Sequence, residues 1–276
     1  MSRRNFTIQT GPLVSVIIPT KNSASTIQLS IESIKFQTYT NTEIIVVDNY
    51  SKDATREIAR SMGAQVTICG GERSAQRNFG AKIASGDFLL FIDSDMVCER
   101  NLIANCVLEC LNGGFKACVI PLINTGKNFW ARCRHIGDII KGNDTLNIAP
   151  RFIERSTFIN IGGYSEELIY GEDKDLARRL IKAGIKFGRI NSYLIHIETN
   201  SLSDMTRKFI YYGSFMHAYA HKDFSLFLKQ INPLRITYFK NLRKIRNPIM
   251  LFGFLILKLI EYESTIVGLL LSIKIR

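Results

Sequence analysis

Phe88-Leu89-Leu90-Phe91-Ile92 runs unbroken into Asp93-Ser94-Asp95, and no other stretch constrains the fold as tightly. A continuous apolar run of this length reads as a strand covered on both faces, the form strands take inside an α/β sheet. In such sheets ligands bind outside the carboxyl ends of the strands. Two carboxylates spaced i, i+2 at that end are costly unless something positive lies between them. A hard divalent cation carrying phosphates suits the place; a solvated turn is the plainer alternative.

The surrounding pattern alternates. Strands are expected at 14–18, stopped by Pro19, and at 43–47, 65–68 and 88–92. Helices are expected between them at 25–36, at 53–62 with Asp53 as N-cap, and at 74–84. Such spacing implies parallel strands joined by right-handed crossovers. Further on come a helix at 101–111, a strand near 116–121 and an irregular polar stretch at 124–145. A strand at 148–153, a helix at 171–183 opened by acids, and further strand at 186–197 follow. The expected organisation is an α/β domain over 1–200, with a mostly parallel central sheet and flanking helices, and a helical C-terminal extension over 201–276.

The 276 residues can bury a substantial core, and 46% hydrophobic against 22% charged content describes a folded chain. Its formal net charge of +12 is unevenly placed, with 12 Lys/Arg against 4 Asp/Glu from Ser201 onward. A basic surface favours nucleic acid, anionic lipid or phosphorylated substrates. No helix–turn–helix, zinc or RNA-recognition signature accompanies it, so nucleic acid is not an expected partner. The six cysteines form no C-x-x-C pair; Cys106 and Cys110 sit i, i+4 in an expected helix and read as small apolar packing among reduced, cytosolic thiols. Arg3 and Arg4 precede no apolar h-region, so no secretory signal is visible.

The tail has two parts. Arg235, Lys240, Arg243, Lys244 and Arg246 form a basic cluster, followed by a strongly apolar stretch at 249–273 interrupted by Lys258, Glu261 and Glu263. Those charges disfavour a single transmembrane helix. At 100° per residue Lys258, Glu261, Thr265 and Ser272 share one side, as in an amphipathic helix lying in the membrane interface, with the basic cluster on anionic headgroups. Docking on the protein itself or on a second subunit, as a homodimer, is the alternative.

Three further sites carry candidate chemistry. Asp48 follows the second expected strand, where a carboxylate can accept a hydrogen bond from a nucleobase N–H; an Asx-turn is the plainer role. Arg73 and Arg77, four apart at a helix start, suit phosphate oxygens. Glu172 and Asp173 open another helix, where the macrodipole favours an ionised carboxylate fit to act as a general base.

Together these segments resemble the inverting family 2 glycosyltransferases of the GT-A fold. The matching residues are Val16-Ile17-Ile18-Pro19-Thr20-Lys21-Asn22, Asp48, Arg77-Asn78-x-Gly80, Asp93-Ser94-Asp95, Gly162-Gly163-Tyr164-Ser165-Glu166 and Gly171-Glu172-Asp173, in order across residues 13 to about 200. The resemblance implies that Pro19, Thr20 and Asn22 line a nucleotide pocket, that Asp48 contacts the base, and that Arg77 lies near the pyrophosphate. It implies that Asp93 and Asp95 hold Mg²⁺ or Mn²⁺, that Asp173 deprotonates the acceptor with Glu172 beside it, and that His196 supplies a third metal or phosphate contact. One departure is Asn49, where many members carry a second acid. The implied donor is a UDP- or GDP-sugar. A glycan or polyprenyl-phosphate acceptor at the cytoplasmic face of the membrane follows from the basic and apolar tail. A sugar-phosphate nucleotidyltransferase would carry a Gly-rich loop where Pro19-Thr20-Lys21-Asn22 stands, and a dinucleotide oxidoreductase a G-x-G-x-x-G after an early strand.

Overall fold

The computed structural model describes residues 11–126, 128–141, 148–197, 201–232, 241–243 and 245–274. They divide into two compact units. The first comprises the chain up to Leu122 together with Ala149–Glu166 and Asp175–His196; the second takes Ile123–Ile148, Glu167–Lys174 and the chain from Ile197 on.

In the first unit β1 (Val14–Thr20), α1 (Ile27–Lys35), β2 (Thr42–Asp48), α2 (Thr55–Ser61), β3 (Gln65–Ile68), α3 (Arg73–Ile83) and β4 (Phe88–Phe91) follow the expected alternation. Next come β5 (Met96–Cys98), α4 (Leu102–Gly113) and β6 (Ala117–Val119). The chain continues through β7 (Leu122–Thr125) and α5 (Phe129–Lys141) to β8 (Pro150–Glu154), α6 (Arg155–Asn160), α7 (Glu172–Lys182), β9 (Phe187–Arg189) and β10 (Leu194–Ile197). Seven strands form one sheet in the order β3-β2-β1-β4-β8-β6-β9. All its pairings are parallel except those of β8 with β4 and β6.

Every residue of β1 is buried, because helices cover both faces of the sheet. Val14, Val16 and Ile18 join the core shared with α1 and α4; Ile17 turns the other way to meet Val47, Ala81 and Phe91. Tight packing explains one glycine. A Cβ on Gly80 would lie 2.5 Å from Ile17 Cγ2, so only glycine lets α3 sit this close to β1.

Chain order reverses at β1. Strands β2 and β3 lie to one side of it and β4 to the other, the kind of switch point at which open α/β sheets bind ligands outside the strands' carboxyl ends. The parallel register sets Thr20 beside Asp48 and Ile17 beside Phe91, which delivers Asp48, Asp93 and the segment after Thr20 to that edge.

Three expectations need correction. Pro19 does not stop β1, which continues to Thr20 with Pro19 opposite Val47. The missing N–H is tolerated because the pairing of β1 with β4 ends at Ile17. Asp53 is not the N-cap of α2, a place held by Ala54. Its carboxylate accepts the Thr55 N–H two residues on and the Ala24 N–H at 3.0 Å, tying two loops together. The stretch expected to be irregular contains the end of β7 and the whole of α5. Ala131, Cys133, Ile136 and Ile140 form a buried stripe there, interleaved with Arg132, Arg134, His135 and Gly137, and Asn128 Oδ1 accepts the Ala131 N–H at 2.7 Å. Thr145 and the rest of 142–147 lie outside the described residues.

The second unit gathers α5, α8 (Leu202–Lys222), α9 (Phe224–Ile231) and the C-terminal helix Pro248–Lys274. A capping box starts α8, with Ser201 Oγ accepting the Asp204 N–H. The C-terminal helix buries Phe254 and Leu257 against Cys133, Ile136 and Met205. It crosses α8 with backbones in contact: a Cβ on Gly213 would strike the Thr265 carbonyl oxygen, and one on Gly268 that of Ile210. Apart from Glu263, which is exposed between Leu259 and Ile266, its charged residues are not on the open side. Lys258 and Glu261 are half-buried and pair at 2.6 Å, whereas Ile249, Phe252, Leu255, Leu259, Ile266 and Leu270 are each at least 50% exposed. Among the described residues no helix is long and apolar enough to cross a membrane. Arg243 and Arg246 of the basic cluster are described; Arg235, Lys240 and Lys244 lie outside the described residues.

Gly80→Val should lower stability by roughly 2–3 kcal/mol through overpacking of Ile17. The loss for Gly80→Ala should be smaller, because alanine recovers about 1 kcal/mol of helix propensity. Urea denaturation of both variants would measure the difference.

Candidate active site

At the carboxyl edge of β1 and β2 the loops are tied to each other. Asn22 donates its N–H to Ser51 Oγ and accepts the Lys52 N–H at Oδ1, both at 2.8 Å. Ser23 donates to Thr55 Oγ1 at 2.7 Å, and Gln76 Nε2 donates to the Thr20 and Val47 carbonyls at 3.0 and 2.6 Å. Pro19, Thr20 and Asn22 therefore stand on a braced rim. Asp48 is fully buried; Oδ2 accepts the Ser51 N–H at 2.8 Å and lies 3.8 Å from Arg56 Nε, and buried Oδ1 has no hydrogen-bond partner. The loop after β4 joins this rim through Ser94 Oγ, 2.8 Å from Ser23 Oγ.

The two acids of Asp93-Ser94-Asp95 have different surroundings. Asp93 Oδ1 accepts from Arg77 Nη2 at 2.7 Å, and Oδ2 lies 3.5 Å from Arg151 Nη2. Arg77 is fully buried on α3, its guanidinium 5.1 Å from the centre of the Tyr164 ring. Arg151 is 7% exposed on β8. Burial pushes the Asp93 carboxyl up, but Arg77, then Arg151 and Arg73, outweigh it and hold the group well below the usual carboxylate range. Asp95 instead meets His196, with Nε2 3.1 Å from Oδ2. The antiparallel register of β5 and β10, His196 opposite Met96, puts the imidazole next to that acid. Asp95 Oδ1 is buried and has no partner.

This is a departure from two acids gripping one ion. With both Asp93 oxygens facing guanidinium groups, the residues that fit a divalent cation are Asp95 and His196. Among the described residues no group of three or more His, Cys, Asp or Glu is placed to hold a metal. Two protein ligands and an orphaned oxygen nonetheless suit Mg²⁺ or Mn²⁺ that takes its remaining ligands from phosphate and water.

The Gly162-Gly163-Tyr164 segment is fastened to α3. Asn78 Oδ1 accepts the Tyr164 N–H at 2.8 Å, while Nδ2 donates to the Tyr164 carbonyl and to Glu166, each at 2.9 Å. Gly163 has φ +64, and a Cβ there would lie 2.6 Å from Asn78 Oδ1. Tyr164 also meets Phe91 and Phe158 edge-on, so it supports Arg77 from below. Glu172 and Asp173 form the first turn of α7, within the second unit, after Gly171 at φ +81.

A family model described as glycosyl transferase family 2 matches residues 15–168, which takes in the braced rim, Asp93, Asp95, Arg151 and the Tyr164 segment. The chain belongs to glycosyltransferase family 2. Among relatives, glycosyltransferase AglE of Haloferax volcanii is 40% identical over 192 residues, covering 63% of each chain. The Escherichia coli protein WfgD, named as a UDP-Glc:alpha-D-GlcNAc-diphosphoundecaprenol beta-1,3-glucosyltransferase, is 39% identical over 94 residues, 32% of this chain and 37% of its own. The chain spans under two thirds of the length of AglE. Among solved structures, S. aureus TarS 1–349 in complex with UDP-GlcNAc superposes with TM-score 0.57 at 17% identity, covering 84% of this chain and 80% of TarS 1–349. The mannosyltransferase PcManGT from Pyrobaculum calidifontis, in complex with GDP-Man and Mn2+, gives 0.60 at 16%, covering 95% and 74%. These likenesses establish the GT-A fold.

Within this family 2 chain, two partners of the site escaped sequence reasoning. Arg151 was readable as a charge inside an apolar strand, since a buried guanidinium demands an acid. Gln76 carried no such signal, because a polar residue on a helix is ordinarily solvated.

Asp93→Asn should cost about 3–5 kcal/mol by stranding two buried guanidinium groups, or roughly 10 °C in Tm. A depressed folded-state pKa stabilises fully above the unfolded aspartate value, about 3.9. The gap between wild type and variant should therefore hold from pH 8 to 5 and narrow only as pH falls below about 4. Thermal melts across that range would measure it.

Proposed function

We propose that this chain transfers a glycosyl group from a nucleoside diphosphate donor, a UDP- or GDP-sugar, to a hydroxyl or phosphate of a lipid-linked glycan or polyprenyl phosphate, with inversion. The observation that carries the reading is the pairing of Asp95 with His196 beside an unpartnered buried carboxylate oxygen, just after β4 at the sheet's switch point. Asp95 and His196 are the residues that would hold Mg²⁺ or Mn²⁺, and such an ion supplies neutralisation of the charge gathering on the departing diphosphate. Asp93 acts by fixing Arg77 and Arg151, which keep the edge electropositive, and Arg73 at the start of α3 adds a cation for a phosphate oxygen. Pro19, Thr20 and Asn22 line the nucleoside pocket, and Asp48 offers its unpartnered oxygen to a base N–H. Asp173 takes the proton from the acceptor hydroxyl as the new bond forms, with Glu172 beside it, and inversion requires that approach to come opposite the leaving group.

The lipid-linked acceptor draws support from the specificity for which WfgD is named and from the second unit. The open face of the C-terminal helix is an apolar strip broken by Glu263, and a segment rich in Lys and Arg precedes it in the sequence, a combination that suits the anionic cytoplasmic surface of a membrane. An apolar groove of about 410 Å³ lined by Met216, Phe224, Phe227 and Leu269 belongs to the same unit.

Four experiments test these assignments. Screening UDP- and GDP-sugars for turnover with Mn²⁺ should find one base preferred. Asp173→Asn should lower kcat by a factor on the order of 10³ while donor affinity persists, and His196→Ala should raise the Mn²⁺ needed for half-maximal binding more than about tenfold. A kcat near wild type in Asp173→Asn would assign the base elsewhere. For the membrane, full-length protein should float with anionic liposomes, and a Phe252→Ser, Leu259→Ser, Ile266→Ser variant should not. Equal flotation, or a stable dimer that the variant dissolves, would give the strip another role.

A further inference from the structure

Tyr50 stands in a place that its own fold gives no reason to fill with an aromatic ring. Its backbone has φ +50, the left-handed region where glycine is at ease and a bulky side chain is strained. Asn22, the other non-glycine residue with positive φ among the described residues, belongs to a type that tolerates it and spends its side chain on Lys52 N–H. Tyr50 spends nothing on the turn. The loop is held by its neighbours: Asn49 Nδ2 donates to the Gly71 carbonyl at 2.6 Å, and Ser51 binds both Asp48 and Asn22. The ring itself is 65% exposed. The contact it makes is along one edge, against Gly70, where a Cβ would come within 3.1 Å of Cε2. A residue that bears backbone strain without burying its side chain points to a use outside the fold.

We propose that Tyr50 is the stacking surface for the donor's nucleobase. The inference rests on the nucleoside diphosphate reading of this site and adds a residue that none of its assignments includes. Tyr50 lies two residues beyond Asp48, whose buried Oδ1 lacks a partner and can only accept a hydrogen bond. A ligand answering both groups has a flat π face and an N–H on its edge, as uracil and guanine do at their imide nitrogens. A hexose ring offers C–H faces to an aromatic but no N–H to a carboxylate. The anchored loop fixes the backbone that carries the ring, and a tyrosine has only two χ angles to immobilise, so stacking costs little side-chain entropy.

The test uses full-length wild type, Tyr50→Phe and Tyr50→Gly, each titrated calorimetrically with UDP, GDP and, as a probe without a base, pyrophosphate, all with Mn²⁺. Glycine suits the backbone at φ +50, so Tyr50→Gly should melt no lower than wild type. Its affinity for the preferred nucleotide should fall about tenfold. Tyr50→Phe should stay within about twofold of wild type, and pyrophosphate affinity should not change in any of the three. Unaltered nucleotide affinity in Tyr50→Gly would overturn the stacking role, as would an equal loss for pyrophosphate. Wild type that binds pyrophosphate but neither nucleotide would overturn the nucleoside reading and this inference with it.

Discussion

Asp93 between Arg77 and Arg151 is the interaction on which the first unit's carboxyl edge depends. Three charges from α3, the end of β4 and β8 meet where water is largely excluded. Removing the acid leaves two buried guanidinium groups facing each other, whereas removing either arginine leaves Asp93 the other, so Asp93 is the member on which the cluster turns. It also sorts the two acids of one short turn into different tasks. The first is spent on guanidinium groups and fixes them, and the second, on the far side of Ser94, is left to face His196 with one oxygen still unsatisfied.

That sorting follows from topology. A strand emerging between β1 and β8 meets an arginine from each side: α3 crosses over β1, packed close by Gly80, and β8 runs antiparallel to β4. The aromatic trio of Phe91, Phe158 and Tyr164 lies under Arg77, and Asn78 fastens Tyr164 to the same helix. The short motifs shared with family 2 glycosyltransferases are, in physical terms, the parts of one bracket. Asn78, Gly80, Gly163 and Tyr164 are spread over the chain yet fix the position of a single guanidinium group.

Much of the first unit was legible because its strands are buried on both faces and write continuous apolar runs, as in Val16-Ile17-Ile18 and Leu89-Leu90-Phe91. The candidate ligands were legible where a carboxylate ends such a run. Legibility failed where the signal was not local. The partners of Asp93 lie 16 residues before it and 58 after it, and nothing in the Asp93-Ser94-Asp95 turn names them. The stripe of α5 was masked by the arginines, His135 and Gly137 that separate its buried positions. For the C-terminal helix the period was readable but the direction was not, since periodicity finds two sides without saying which of them meets the protein.

The glycine contacts between α8 and the C-terminal helix bear on how that part of the molecule could respond to load. Side chains that interdigitate can slide by exchanging rotamers, but touching backbones leave no such slack. Gly213 and Gly268 set the two rods at one crossing point, so compression there meets backbone atoms already in contact and is not relieved by exchange of rotamers.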